Sequence, residues 1–382
     1  MFSVRRRAAL SATALRGPAL LGVLALALAA CSGGGSSPTP TPSPTPAPTP
    51  APSPSPTPTP APSTAAIQAA IDASPVADIY FAIGTRDGVV YTYQKGKVGP
   101  TSALPIASAT KMLSGVTILR LVEAGRMRLD DHPQKYLSYW TSDPADPRSQ
   151  VTLQQLLSFT SGFNYSEIDR QCISDGSTTI AACAQQFYTR GLDTPPGSAF
   201  YYGPAHLQIA GAMAEAATGK PFPQIFREQV ADVAGMTSAT GYVTPSTTNP
   251  RLSGGAVATP EDYMRFLAAM LGGRLLTDIA SYTTDRTAGV TVLNTPDVTV
   301  TDGEWHYGLA AWHECDATPF TPACGAARLI SSPGAFGWTP WIDFDRGYWA
   351  LVAMNDGVGG SQRGVALEQQ LQPLINTWLG KP

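Results

Sequence analysis

Pro105-Ile106-Ala107-Ser108-Ala109-Thr110-Lys111 leads directly into the apolar run Met112 to Gly125, "MLSGVTILRLVEAG". A lysine at the head of a buried helix costs desolvation energy, so it either reaches solvent or serves a site there. Positions i and i+3 share one helix face, which lets the Ser108 hydroxyl and the Lys111 amine touch. A helix start also favours developing negative charge, because free N–H groups and the helix dipole point there. An amine kept neutral by burial can take a serine proton. No other lysine in the chain has a serine three residues before it. The bland alternative is a helix cap with a lysine that snorkels to water.

The surrounding segments sort into elements. "TAAIQAAIDA" has helical periodicity behind a threonine cap at Thr64. Residues 77–96 read as two strands folded about Asp87-Gly88. Ser108 to Gly125 reads as a helix closed by glycine. "VTLQQLLSFTSGFN", "PAHLQIAGAMAEAATGK" and "TPEDYMRFLAAMLGG" read as helices, the last opened by Thr259 and Pro260. Short strands follow in "WHYGLAAWHE", "GAFGWTPWIDF" and "GYWALVAMN", and "VALEQQLQPLINTWL" is the last helix. Early and late strands sharing one sheet, with helices between, predict an α+β fold: an antiparallel sheet flanked by helices, a mainly helical lobe, and a cleft between them.

Several segments in order resemble the serine β-lactamase and penicillin-binding protein superfamily, nearest its class C-like, esterase-containing branch. Ser108-x-x-Lys111 matches the nucleophile motif. "LLSFTSG" resembles the family's "LLxHTSG", with Phe159 where histidine is usual. "VAGMTSAT" and "SGGAVATPEDYMRF" resemble two further family segments. The resemblance covers about residues 75 to 378 and implies the two-lobed fold, an acyl-enzyme mechanism, no cofactor and no metal. It implies Ser108 as nucleophile, Lys111 as base and Tyr202 as acid/base partner. Pro204 stands where the second motif usually has asparagine, so one substrate-orienting bond is lost. Ser332-Pro333-Gly334 aligns with the third motif, so the resemblance implies Ser332 and Gly334, with Pro204 of the second motif, as substrate-binding positions. Gly334 leaves room for substrate to approach the strand. The N–H groups of Ser108 and Ala335 would form the oxyanion hole.

The departures bear on substrate. Ser332 carries no charge where lysine or histidine usually helps hold a carboxylate, so β-lactam turnover is expected to be slow or absent. Arg363 is a candidate replacement, although a solvated arginine fits it better. Phe163, Tyr201, Phe336, Trp338 and Trp341 are aromatic candidates for the cleft or the core, with Tyr201 assigned to the core. The expected activity is acyl transfer from an ester or amide, as an esterase, a D-amino-acid peptidase or a weak β-lactamase. A non-catalytic penicillin-binding or cell-wall-sensing protein on the same fold is the alternative. No Gly-x-Ser-x-Gly supports an α/β-hydrolase, and His313-Glu314 lacks the second histidine of a zinc-protease motif.

Composition bounds the rest. With 382 residues, 43% hydrophobic and 14% charged, the chain can build a large core, and a net charge of −3 gives no case for nucleic acid. Residues 1–30 read as a signal peptide, with Arg5 to Arg7 before an apolar stretch ending at Cys31. Cys31 resembles a lipidation site, which predicts an exported bacterial lipoprotein, membrane-anchored and periplasmic or at the cell surface. Ser32 resembles the outer-membrane-sorted class. Peptidoglycan is then a possible neighbour or substrate. Residues 31–63 are a linker rich in proline, threonine and serine; Pro38 to Pro62 would extend roughly 80 Å as polyproline II. The hydrolase domain is assigned to 64–382. In an exported chain Cys172, Cys183, Cys315 and Cys324 are expected in disulfides. Local pairing, Cys172 with Cys183 and Cys315 with Cys324, is the simplest of three arrangements.

Overall fold

The computed structural model describes residues 63–164, 167–296, 304–315 and 317–381, without the side chains of 165–169. The expected signal peptide, Cys31 and nearly all of the linker lie outside the described residues.

A seven-stranded antiparallel sheet forms the spine. In chain order its strands are β1 (Ile79–Thr85), β2 (Gly88–Lys95), β8 (His306–Tyr307), β9 (Trp312–His313), β10 (Leu329–Ser331), β11 (Thr339–Asp343) and β12 (Tyr348–Ala353). Their spatial order is β2-β1-β12-β11-β10-β9-β8. The early hairpin therefore lies against the last strand, with Phe81 opposite Val352 and Ile83 opposite Ala350. Gly88, with φ +125°, supplies the backbone that lets the Arg86-Asp87 turn close.

Strands β1, β11 and β12 are buried on both faces, so they read as apolar runs without polar alternation. Alternation survives as a division of labour between two cores. Phe81, Ile83, Ala350 and Val352 face the terminal helices Ala65–Ala73 and Gly360–Trp378, where Ile67, Ile71, Leu371 and Ile375 meet them. Tyr80, Ala82, Trp349 and Leu351 face the main core with Met112, Val116 and Leu267. Each such aliphatic or aromatic side chain contributes about 2 kcal/mol by leaving water. The Thr64 side chain makes no capping bond; the Ser63 hydroxyl accepts from the Ala65 N–H instead, at 3.2 Å.

The expected helix at Ser108 is two pieces. A 3-10 turn, Ala107–Ala109, leads into the α-helix Thr110–Glu123. That helix is buried nearly all round, because the helical lobe packs on it from the side opposite the sheet. Helix Ala205–Thr218 runs beside it and ends at Gly219, with φ +71°. Helix Pro260–Leu271 opens with the Thr259 hydroxyl accepting from the Asp262 N–H, as its sequence predicts.

Two small sheets fix the cleft. Strand β6 (Ala256–Ala258) lies between β3 (Leu104–Pro105) and β5 (Gly241–Tyr242). It joins the entry to the Ser108 turn to the loop before helix Pro260–Leu271. Strands β4 (Ala199–Tyr201) and β7 (Thr291–Asn294) pair in parallel. Both disulfides join the near neighbours, Cys172 with Cys183 and Cys315 with Cys324. The first ties helix Glu167–Ser174 to helix Ile180–Arg190.

Candidate active site

Ser108 sits in the 3-10 turn, one residue after Ala107, whose φ is +44°. A non-glycine residue in that region is strained, and the surrounding structure must hold it there. The strained residue aims the Ser108 hydroxyl at Lys111, whose Nζ lies 2.9 Å from Ser108 Oγ. Lys111 is 4% exposed. Its Nζ also donates to the Ser253 carbonyl at 2.7 Å. A neutral amine has two N–H groups and one lone pair. With one N–H on Ser253, the lone pair is available to the Ser108 O–H. Burial, and to a lesser degree the positive charge of Arg251, together lower the Lys111 pKa to about 7.

The Tyr202 ring lies with its centroid 4.4 Å from Lys111 Nζ. Trp312 stacks on the Tyr202 ring, with centroids 5.2 Å apart. Burial raises the Tyr202 pKa, and hydrogen bonds with Ser108 and Trp312 offset this only in part. The phenol therefore stays protonated and can pass a proton without being an anion. These groups open onto a cleft of about 370 Å³ lined also by Ile173, Tyr201, Pro204, Arg251, Asn294, Ala335 and Phe336. Among the described residues, no carboxylate lines it, and no histidine, cysteine and acid cluster could hold a metal. No helix among the described residues is long and apolar enough to cross a membrane.

The model of the family described as Beta-lactamase matches residues 64–373. The chain belongs to this beta-lactamase family. A putative beta-lactamase from Bacteroides dorei is similar in structure, with a TM-score of 0.69 and 26% identity, over 81% of this chain and 97% of that one. Among curated proteins, Protein flp of Staphylococcus aureus strain MW2 is 26% identical over 138 residues, 35% of this chain and 28% of its own length. Lovastatin esterase of Penicillium rubens is 29% identical over 190 residues, 44% of this chain and 47% of its own. The matches thus span about a quarter to a half of these curated relatives. The beta-lactamase family is one of serine hydrolases, and its members similar to this chain include an esterase.

The third-motif positions differ from expectation. Ser332 is 3% exposed, and its hydroxyl donates to the Ser108 carbonyl at 3.0 Å. It braces the Ser108 turn and is not among the residues that line the cleft. Gly334 is required by the protein itself: a Cβ there would lie 2.2 Å from the Ile106 carbonyl oxygen. The glycine lets the β10–β11 hairpin press against the backbone leading to Ser108. Beyond β10 the ladder continues through Ser332 N–H to Pro340 O and Gly334 N–H to Trp338 O. Ala335 begins the turn. Neither its N–H nor that of Ser108 has an acceptor among the described residues, and both residues line the cleft.

Pro204 lines the cleft at the head of helix Ala205–Thr218. Tyr201 lines it too and is not a core residue; Phe336 joins it, whereas Phe163, Trp338 and Trp341 are fully buried. Arg363 pairs with Asp356, outside the cleft-lining set. Three neighbours escaped the sequence reading. Asn294 presents its amide beside Pro204, where Nδ2 donates to the Tyr202 carbonyl at 3.2 Å. His206 stacks on Phe159 at 4.9 Å, with Nδ1 bonded to Ser161 Oγ and Nε2 to the Tyr201 carbonyl. Arg251 reaches the cleft from the turn that carries Ser253. Its sequence signal is the adjacent "SGG" family segment, which places the turn but not the side chain.

Proposed function

We propose that this beta-lactamase-family protein hydrolyses an ester or amide through an acyl-enzyme on Ser108. The observation that carries the reading is the 2.9 Å contact between Ser108 Oγ and a buried Lys111 whose other bond is to a carbonyl. In the first step the Ser108 proton passes to the Lys111 lone pair while Oγ bonds to the substrate carbonyl carbon. The resulting oxyanion is held by the Ser108 and Ala335 N–H groups. The leaving group takes a proton from the Lys111 ammonium, relayed by the Tyr202 phenol, as its bond to carbon breaks. Water then repeats the sequence on the acyl-enzyme and returns Ser108 and Lys111 to their starting states.

Two facts favour an ester over a β-lactam. Ser332 offers no charge and is turned inward, and a relative similar to this chain is named an esterase. The protein is proposed to act outside the cytoplasm as a lipoprotein tethered through Cys31.

The test uses the full chain with 4-nitrophenyl butyrate and, separately, a penicillin. Nitrophenol release and any covalent mass increase are followed for the unaltered protein and Ser108→Ala. Turnover of the ester should fall by about a thousandfold or more in the variant, with the thermal midpoint unchanged. Equal turnover by both proteins would remove Ser108 as nucleophile. Rapid opening of the penicillin would overturn the preference for esters.

A further inference from the structure

We propose that Arg251 is a recognition residue for a carboxylate on the substrate. This deepens the acyl-transfer reading and rests on it for the position of the reacting bond.

The five-residue turn from Arg251 to Gly255 does two things at once. Its backbone closes through Gly254 N–H and Gly255 N–H to the Arg251 carbonyl, and its Ser253 carbonyl receives Lys111. Gly255 is held tightly: a Cβ there would lie 2.3 Å from the Thr244 carbonyl oxygen. The Arg251 N–H is fixed by that same carbonyl at 2.8 Å. The guanidinium therefore projects into the cleft from a rigid base, on the turn that also anchors the base.

Its bonds do not use its capacity. Nη2 donates to the Ser174 hydroxyl at 3.0 Å, while Nε is buried and has no partner. Among the described residues no carboxylate pairs with Arg251, and none lines the cleft. A guanidinium offers five donors in a fork that matches a carboxylate. Nη1 has no partner among the described residues and is not enclosed, so a carboxylate in the cleft can take it up without breaking a bond within the protein. Every other group on this wall is neutral or apolar: Ile173, Tyr201, Tyr202, Pro204 and Asn294. Phe336 and Ala335 close the other side, where the third motif offers no cation. Beside the buried Lys111, the cleft thus offers one further cation, held next to Ser174 on the helix that supplies Ile173.

The experiment compares two ester pairs on the unaltered protein. One pair places the charge on the acyl side: 4-nitrophenyl hexanoate and the 4-nitrophenyl half-ester of adipic acid. The other places it on the leaving side: the acetate esters of methyl 3-hydroxybenzoate and of 3-hydroxybenzoate. In one pair the charged member should exceed its neutral partner about tenfold in kcat/KM, chiefly through KM. Arg251→Gln should erase that preference, and Arg251→Lys should keep part of it. Equal rates within both pairs, or a preference that survives Arg251→Gln, overturn the inference. Calorimetric titration with free adipate and 3-hydroxybenzoate reads the anion site without turnover. At least one should bind about tenfold more tightly to the unaltered protein than to Arg251→Gln. Indifference to the substitution again overturns the proposal. Esters that no form of the protein cleaves would instead sink the acyl-enzyme reading, while the titration still decides Arg251.

Discussion

At the scale of single residues, the proposed chemistry depends on keeping one cation neutral. Lys111 faces the Ser108 hydroxyl, the Ser253 carbonyl, the Tyr202 ring and, further off, the Arg251 guanidinium. The ring face favours the charged amine, but burial and Arg251 outweigh it. Its pKa of about 7 means that the free base forms as pH rises through neutrality. The rate of ester cleavage at limiting substrate should therefore climb tenfold per pH unit below about 7 and level off above it. A profile flat from pH 5 to 9 would remove Lys111 as base. His206 works in the opposite sense, as a fixed neutral ring. Burial lowers its pKa to about 3, so without ionising Nε2–H donates to the Tyr201 carbonyl while Nδ1 accepts from the Ser161 hydroxyl. The unfolded chain protonates this ring below its ordinary value of about 6.5, whereas the folded one does not. Folding should lose about 1.4 kcal/mol per pH unit from this group as pH falls from about 6.5 towards 3. His206→Phe leaves the Tyr201 carbonyl and Ser161 unpaired and should cost about 2–3 kcal/mol at pH 7.5. Because the variant has no ring to titrate, the deficit should shrink at pH 5 in urea unfolding. A constant deficit at both pH values would mean that His206 is protonated in the native state.

At the scale of elements, the hairpin β10–β11 and the Ser108 turn are parts of one device. Ser332 holds the Ser108 carbonyl, and Gly334 lets the hairpin approach the Ile106 carbonyl. Gly334→Ala must push the two apart by about an ångström, since a Cβ at 2.2 Å is far inside contact distance. The Ala335 N–H would move with the hairpin and miss the oxyanion. kcat should fall about 10- to 100-fold, with KM little changed and stability lowered by about 1–3 kcal/mol. Unchanged kcat would show that Ala335 does not bind the oxyanion. The sequence made this region only half legible. Long periodic segments such as Ala205–Thr218 and the Asp87-Gly88 hairpin carry their own signals, and they form as expected. Ser108 and Lys111 were legible because they lie on adjacent turns of one segment. Strands β3, β5 and β8 have two residues each, too few to show a period. Ser253 meets Lys111 across 142 positions, and Ser332 meets Ser108 across 224. No local pattern encodes such contacts, which is why Ser332 read as a substrate group and Arg251 went unseen.

At the scale of the whole molecule, compartment and chemistry meet at one wall of the cleft. The Cys172–Cys183 bridge holds the helix that supplies Ile173 to the cleft and Ser174 to Arg251. Such a bridge persists where thiols oxidise, outside the cytoplasm, so the disulfide and the proposed lipoprotein export support each other. The family match begins at residue 64, directly after the stretch dense in proline. A single acyl chain gives only marginal membrane binding, whereas the several chains of a mature bacterial lipoprotein hold firmly. Cys31→Ser should therefore abolish incorporation of radiolabelled palmitate in a bacterial host and move the protein from the membrane fraction to the soluble fraction. Hydrolysis of 4-nitrophenyl butyrate per molecule should not change, because the cleft is built wholly from residues beyond 100. Palmitate label that persists in the variant would place the lipid elsewhere. Membrane association that persists without label would assign the anchor to the apolar stretch before Cys31 rather than to a lipid on it.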